Sequence, residues 1–500
     1  MKYHYYFKKS IAPIAYNNCL FFLCCLFLLG SCNSETPANK PNVLILCADE
    51  WRAQSTGYSG DKDVITPHLD QLAASSANFV NAVSGIPVCT PFRASLMTGQ
   101  RPLTNGIFMN DVRLDTNAVT IAKVFNKNGY NTGYIGKWHL DGQYRLSYTP
   151  PGNRRQGFDY WKAVNCDHNY NHSVYYDNDD TTLHYWKGYD VFAETKDAEN
   201  YIRSHANKDR PFFLMLSWAP PHNPYHTAPD KYKELYDSSK LALRPNVPDS
   251  MEEKVRYDLA GYYSHMAAID DMIGELMETL KKEGISENTI VLFISDHGDL
   301  LGSQGAYFKQ RPYDESIRVP MLFHYQGKTG SIKSGSYPAM INAEDIMPTL
   351  LGLTGLKIPS SVEGIDFSGY IRGKGKDPKD TVAILTCVQP FGQWIRSRGG
   401  KEYRGIRTPS YTYVRDLKGP WLLYDNINDP YQMNNLADNK EFSNLQSRLD
   451  KLLMDKLKET NDEFLPGLMY VKKYNYPALD ATETVPYNYG PNSWPHKLDN

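Results

Sequence analysis

Asp49-Glu50 and Asp296-His297 each place two metal-capable side chains side by side, directly after an apolar run. Neighbouring residues of a strand point to opposite faces, so both members of such a pair reach one ion only where the chain leaves its sheet. Three carboxylates suit a hard cation such as Ca²⁺ or Mg²⁺; a histidine nitrogen is a less usual companion. Either pair on its own also has the form of a helix cap or a solvated turn. Cys89 stands ahead of Thr90-Pro91-Phe92-Arg93. From its type alone it reads as a small buried hydrophobe, or as a thiolate nucleophile activated by a helix N-terminus and the neighbouring Arg93. Gly136-Lys137-Trp138-His139 and Pro221-His222 add a cation and two imidazoles. Taken singly, Lys137 has the look of a surface lysine and His222 of a hydrogen-bonded core histidine, so position has to decide.

Position follows from the elements around these residues. Asn42 to Ala48 is a buried-strand run that delivers Asp49-Glu50. Ala118 to Asn128 has helical periodicity, stops at Gly129 and leads into a strand finishing at Gly136-Lys137-Trp138-His139. Pro211 to Trp218 is apolar and is followed by Ala219-Pro220-Pro221-His222. A long amphipathic helix spans roughly Tyr257 to Glu283, and the strand Thr289 to Ile294 after it ends in Ser295-Asp296-His297-Gly298. Strands alternating with helices predict an α/β fold, a mainly parallel sheet sandwiched by helices. Ligands of such sheets sit beyond the carboxyl ends of the strands. Four strand ends thus converge on carboxylates, lysine and histidines.

The longer string from Cys89 to Thr98-Gly99 resembles the signature of the type I sulfatases, Cys-x-Pro-x-Arg followed by a helix and Thr-Gly. In that family a separate enzyme oxidises the cysteine to formylglycine, an aldehyde that is hydrated to a geminal diol. The other motifs fall in the family's order. Asp49-Glu50 stands at its acidic metal pair, where two Asp are common, so Glu50 departs from the pattern. Lys137 and His139 match a sulfate-binding lysine and a histidine that contacts the formylglycine. His222 matches the imidazole facing the leaving group, Asp296-His297 the second metal pair, and Lys309 the second sulfate-binding lysine. The likeness runs from about Asn42 to Asp438 and implies an alkaline-phosphatase-like fold.

The resemblance implies the following chemistry. Asp49, Glu50, Asp296, His297 and the modified Cys89 hold one divalent cation, most simply Ca²⁺, with Mg²⁺ as the alternative. Arg93 steadies the diol, and Lys137, Lys309 and the cation gather the charge of the sulfate, the kind of preorganised electrostatics that dominates many catalysed reactions. One diol oxygen attacks sulfur while His222 protonates the leaving alcohol, giving a sulfo-enzyme. His139 then takes the proton of the second hydroxyl, and collapse to the aldehyde expels sulfate. The residues from Ala48 to Arg52, with Ser84-Gly85, are closer to carbohydrate sulfatases than to aryl-specific ones, and a sulfated galactose or N-acetylgalactosamine unit is the expected substrate. Two other readings stay open at this level: a phosphoesterase or phosphonate monoester hydrolase of the same fold, and a non-catalytic glycan-binding lipoprotein.

The remainder of the chain sets the context. With glycine included, about 48% of the 500 residues are apolar, which excludes a disordered chain, a collagen-like repeat and a multi-span membrane protein. A formal net charge of -2 gives no footprint for nucleic acid. Lys2, Lys8 and Lys9 precede an apolar run, Cys19 to Leu29, too short to span a bilayer. It ends in Leu29-Gly30-Ser31-Cys32, which looks like a bacterial lipobox. The expectation is a lipoprotein signal over residues 1–31 and a tether over 32–41, with lipid on Cys32 anchoring the exported protein at the periplasm or cell surface. The catalytic domain is expected over 42–357, a linker over 358–380 and a smaller α+β unit with a surface-wrapping tail over 381–500. Cys47, Cys166 and Cys387 are scattered and do not form a disulfide framework. A formylglycine-generating or anaerobic sulfatase-maturating enzyme is the implied protein partner.

Overall fold

A computed structural model describes Met1, Lys9 and residues 40–206, 208–327, 330–375, 378 and 382–488. Apart from Met1, Lys9, Lys40 and Pro41, the expected signal and tether, Cys32 included, lie outside the described residues. Pro41–Asn500 forms one compact unit. Among the described residues, no helix is long and apolar enough to cross a membrane.

The core is a ten-stranded sheet with strands β1 (Asn42–Asp49), β2 (Ala77–Val83), β3 (Asn131–Lys137), β4 (Tyr160–Val164), β5 (Val174–Asp177), β6 (His184–Tyr185), β7 (Phe212–Pro221), β8 (Thr289–Ser295), β9 (Met321–His324) and β10 (Gly335–Asn342). Their order is β10-β2-β9-β8-β1-β7-β3-β4-β5-β6. The central strands β8, β1, β7, β3 and β4 run parallel, while β9, β5 and β6 pair antiparallel with their neighbours.

The composition of the central strands explains their position. Every residue of β1 is buried, and alternate side chains feed two separate cores: Val43, Ile45 and Cys47 enter one, Leu44, Leu46 and Ala48 the other. A strand with no polar face must be covered on both sides, which parallel crossover helices accomplish. The helix Glu252–Lys282 covers one face through Leu259, Met266, Ile273 and Leu280, one residue every two turns. The helices Cys89–Thr98, Ile121–Lys127 and Ile346–Leu353 cover the other.

A second sheet, antiparallel and ordered β11-β12-β13-β14, comprises Ala383–Cys387, Tyr403–Arg407, Tyr411–Asp416 and Gly419–Asp425. The helix Ser443–Glu459 lays Leu449, Leu453 and Leu457 on one of its faces against Ile406, Tyr413 and Leu423. Its other face packs with Val83, Ile317 and Met340 of the main layer.

Two parts differ from expectation. Within the stretch read as a linker, Phe367, just before the one-turn helix Ser368–Ile371, and Ile371, its last residue, are buried in the main core. Its Pro- and Gly-rich composition hid that short apolar face. The tail also does more than wrap: Tyr476 stacks on Phe108 at 4.4 Å, and residues from Asp480 to Tyr487 line the cavity described below.

Candidate active site

Four parallel strands deliver the site at their carboxyl ends. β1 ends in Asp49 with Glu50 one step beyond, and β8 leads directly into Asp296 and His297. β3 ends at Lys137, and His222 follows β7. Cys89 is the first residue of the helix Cys89–Thr98. The turns that release these residues are tight. Glu50 and His139 adopt φ of 71° and 56°, a region that costs a side-chain-bearing residue energy and is found preferentially at functional sites. Gly136 has φ of 95° and would place a Cβ 2.2 Å from the Ser217 carbonyl oxygen, so only glycine fits beside Lys137.

A network of buried charge fills the space between the strand ends. Lys137 Nζ donates to Asp49 Oδ2 at 2.5 Å. Arg93 bonds Asp49 Oδ2 at 3.2 Å and reaches Asp296 Oδ2 through Nε and Nη2 at 3.2 and 3.0 Å. Its Nη1 donates to Ser217 Oγ at 2.7 Å and to the Lys137 carbonyl at 2.9 Å. Arg93 thus ties two carboxylates to the ends of β3 and β7; no recorded hydrogen bond among the described residues joins it to Cys89 Sγ, the neighbour expected for it. Cys89 Sγ instead lies 3.2 Å from His297 Nε2, 3.5 Å from Lys309 Nζ, 3.8 Å from Asp49 Oδ1 and 3.9 Å from Lys137 Nζ.

Charge follows this geometry. Burial alone would raise the Asp49 carboxyl, but Lys137, with Arg93 and Lys309, holds it well below the usual carboxylate range. Burial and the nearby Asp49 both oppose a thiolate at Cys89, yet Lys137, Lys309 and His297 together hold it well below the usual thiol value. Glu50 moves the other way, raised by burial that Lys309 offsets only in part. Burial would lower His297, and Asp296 overrides it, raising the imidazole to about 9. Cys47, on β1 within the core, is pushed up to about 12 by burial, the behaviour of an inert packing thiol.

The donor set fits a hard cation. Ligand atoms of Asp49, Cys89, Asp296 and His297 all lie within 4.8 Å of one another, as do those of Asp49, Glu50 and His222. Glu50 is therefore grouped with Asp49 and His222, and Asp49 is common to both groups. Neither of its carboxylate oxygens has a hydrogen bond although both are fully buried, even with Lys309 Nζ at 3.5 Å and His222 Nε2 at 3.2 Å. A buried carboxylate with two orphaned oxygens is costly, and a cation removes that cost. His297 Nδ1 lies 2.9 Å from the Gly298 carbonyl oxygen, which leaves Nε2 as the nitrogen that faces the cluster.

All ten residues singled out in the sequence reach this region, with His139 at its edge. His139 Nε2 sits 3.4 Å from Asp111 Oδ1, and its Nδ1 is buried without a partner. Above Cys89 opens a cavity of about 610 Å³ lined by Lys137, His139, His222 and Lys309. Several of its residues carried no sequence signal. Asp111 and Arg145 sit in loops without a motif, Asp480 and Tyr487 in a tail read as wrapping. Asp299 shapes the Lys309 loop by accepting the backbone N–H groups of Leu301 and Phe308. His168 stacks on His222 at 4.5 Å, whereas His172, four residues on, is exposed against Tyr185.

Residues 41–356 match the sulfatase family model. The chain belongs to the sulfatase family. A second model, the C-terminal part of N-sulphoglucosamine sulphohydrolase, matches residues 302–460 of this sulfatase. An ulvan-active sulfatase of Formosa agariphila is 45% identical over 484 residues, which is 96% of this chain and 93% of that one. An endo-4-O-sulfatase of Bacteroides thetaiotaomicron is 32% identical, covering 85% and 93%. The crystal structure of a putative sulfatase from Bacteroides fragilis superposes with a TM-score of 0.78 at 32% identity, over 88% of this chain and all of that one. The protein is a sulfuric ester hydrolase on an alkaline-phosphatase-like fold.

Proposed function

We propose that this sulfatase removes O-sulfate from a carbohydrate, with Cys89 in its formylglycine form and one Ca²⁺ held by Asp49, Glu50, Asp296 and His297. The observation that carries the reading is the convergence of Lys137, Lys309, His297 and the Asp49 carboxylate on Cys89 Sγ at the floor of a cavity wide enough for a sugar. Similarity over nearly the whole chain to an ulvan-active sulfatase and an endo-4-O-sulfatase supports a glycan substrate.

Residue roles follow from the contacts. Lys137 and Lys309 bracket Cys89 and take up the charge of the sulfate oxygens, acting where water is excluded and charge interactions are strong. Arg93 keeps Asp49 and Asp296 apart from one another's charge and aimed at one point. A hydrated aldehyde at position 89 supplies the attacking hydroxyl and a second one through which sulfate is released; the cation, when bound, polarises both sulfate and hydroxyl. His139 holds the proton of that second hydroxyl. His222 holds the proton for the leaving alcohol. Its Nδ1 donates to the Asn223 carbonyl oxygen at 2.8 Å, so Nε2, facing Glu50, is the atom that takes up and delivers the proton. Burial, Lys309 and His168 keep this imidazole neutral at rest; an arriving sulfate ester offsets Lys309 and favours the protonated form.

Release of inorganic sulfate from a panel of defined sugar sulfates tests the reading directly, and turnover of an aryl phosphate in preference to an aryl sulfate would replace it with the phosphoesterase alternative. His222→Ala should slow sugar sulfates by roughly a hundred- to ten-thousandfold and aryl sulfates far less, because a phenolate leaves without an acid. Equal losses on both would assign the proton to another group.

The proposal extends to the address. Leu29-Gly30-Ser31-Cys32 supports lipidation of Cys32 and anchoring of the exported enzyme. Cys32→Ala should move the protein from the membrane fraction to the soluble fraction with its activity intact. Wild-type protein found freely soluble in the periplasm would end this part of the proposal.

A further inference from the structure

The cavity above Cys89 is sorted by charge. Lys137 and Lys309 lie against Cys89 Sγ at its floor, whereas Asp111, Arg145, Asp480 and Tyr487 form a second group in its lining. Asp480 and Tyr487 are exposed, and this group is the cavity's outer wall. On that wall Arg145 is matched by Asp111: Nε and Nη2 donate to the two carboxylate oxygens at 2.9 and 2.7 Å, the fork-to-carboxylate geometry that binds most tightly. The Tyr487 ring lies over the same guanidinium, 3.5 Å from Cζ to ring centre. Burial alone would raise the Asp111 carboxyl, but Arg145 holds it well below the usual range, so the pair stays ionic and neutral overall. Asp480 adds a further carboxylate, held in place by the backbone N–H groups of Thr482 and Thr484.

A sulfate at the floor therefore meets two lysines, while a second anion farther out meets a neutralised arginine and an acid. Hydroxyl groups suit the same wall, since the exposed Asp480 carboxylate accepts their hydrogen bonds. Tyr487, with 37% of its surface exposed, offers a flat apolar face to a sugar ring.

We infer that the outer wall built by Asp111, Arg145, Asp480 and Tyr487 selects the sugar: it holds an uncharged monosaccharide unit carrying one sulfate and disfavours a carboxylate or a second sulfate on that unit. The inference rests on the sulfatase reading of the cavity floor.

The test compares kcat/KM for an aryl sulfate, for monosulfated methyl glycosides of neutral sugars, and for their counterparts bearing a uronate carboxylate or a second sulfate. The wild-type enzyme should favour the neutral unit by about tenfold or more, since bringing a second negative charge up to Asp480 costs free energy on at least that scale. Tyr487→Ala should lower kcat/KM on the neutral sugar sulfate about tenfold more than on the aryl sulfate, and Tyr487→Phe, which keeps the ring, should restore the ratio. Asp480→Lys should shift preference toward the doubly charged sugars. Equal or reversed preference in the wild type, or equal losses on both substrates in Tyr487→Ala, overturns the inference. Turnover of the aryl sulfate with no sugar sulfate accepted overturns it too, and leaves the sulfatase reading standing. Loss of every sulfate substrate would instead remove that reading, and the inference with it.

Discussion

Cys89→Ala should yield folded protein whose sulfate-ester turnover has fallen by about 10⁴-fold or more, the scale on which loss of a nucleophile is felt. The fold should persist because Cys89 begins its helix and its Sγ touches charged site residues. Alanine is the best helix former, and a surviving thermal transition near that of the wild type checks the point. Peptide mass analysis of the active wild type should find position 89 converted to the aldehyde. Cys89→Ser should also lose turnover unless the modifying enzyme accepts serine, because a lone hydroxyl attacks once and has no second hydroxyl through which to discharge the sulfate. Fully active enzyme with an intact thiol at Cys89 would overturn this chemistry. It would put in its place the thiolate that Lys137, Lys309 and His297 already favour.

Removing the cation should have the next largest effect. Exhaustive chelation should abolish activity, and Ca²⁺ should restore it. Asp49→Asn and Asp296→Asn should show losses of about 10²-fold or more that added Ca²⁺ does not repair. Asparagine is preferable to alanine at Asp49. Truncation would leave Lys137 and Arg93 with no oxygen at that position, whereas the asparagine oxygen still accepts from them although it gives up the charge. Breaking a buried pair outright costs about 3–5 kcal/mol and would confuse folding with chemistry. Glu50→Gln separates ligand from bystander: weakening of cation affinity by about tenfold or more identifies it as a ligand, and unchanged affinity removes it from the set. Activity that survives exhaustive chelation would exclude a catalytic cation altogether.

The central layer was legible because its signal is dense. β1, β7 and β8 are uninterrupted apolar runs bounded by polar clusters, and such runs admit few placements other than the middle of a parallel sheet. Asp49, Glu50, His222, Asp296 and His297 at their ends were legible for the same reason, since a strand end fixes where its next residue goes. Arg93 was found, but its partners were not: nothing in the string around it says that its guanidinium turns to Asp49, Asp296 and Ser217. β12 escaped notice because Arg404 and Arg407 interrupt its pattern, and their charges are met by Asp462 and Asp314 far away in the chain. Asp111, Arg145, Asp480 and Tyr487 were invisible because they meet only through tertiary contacts between loops. Loops carry no period from which a neighbour can be inferred.

Strand β1 is completed late. Val43 pairs with Phe213 on one side and with Ile290 on the other, so the sheet's centre cannot close until most of the chain has been made and brought back. Pairings of such long range carry high contact order and are slow to form. Cys89 is only 2% exposed once they have formed. On the formylglycine reading proposed above, the delay in closing the sheet is the interval in which Cys89 lies on an open peptide, accessible to a modifying enzyme. A permutation or mutation that brought β7 or β8 to β1 sooner would then speed folding and, by the same act, shorten the time open to that modification.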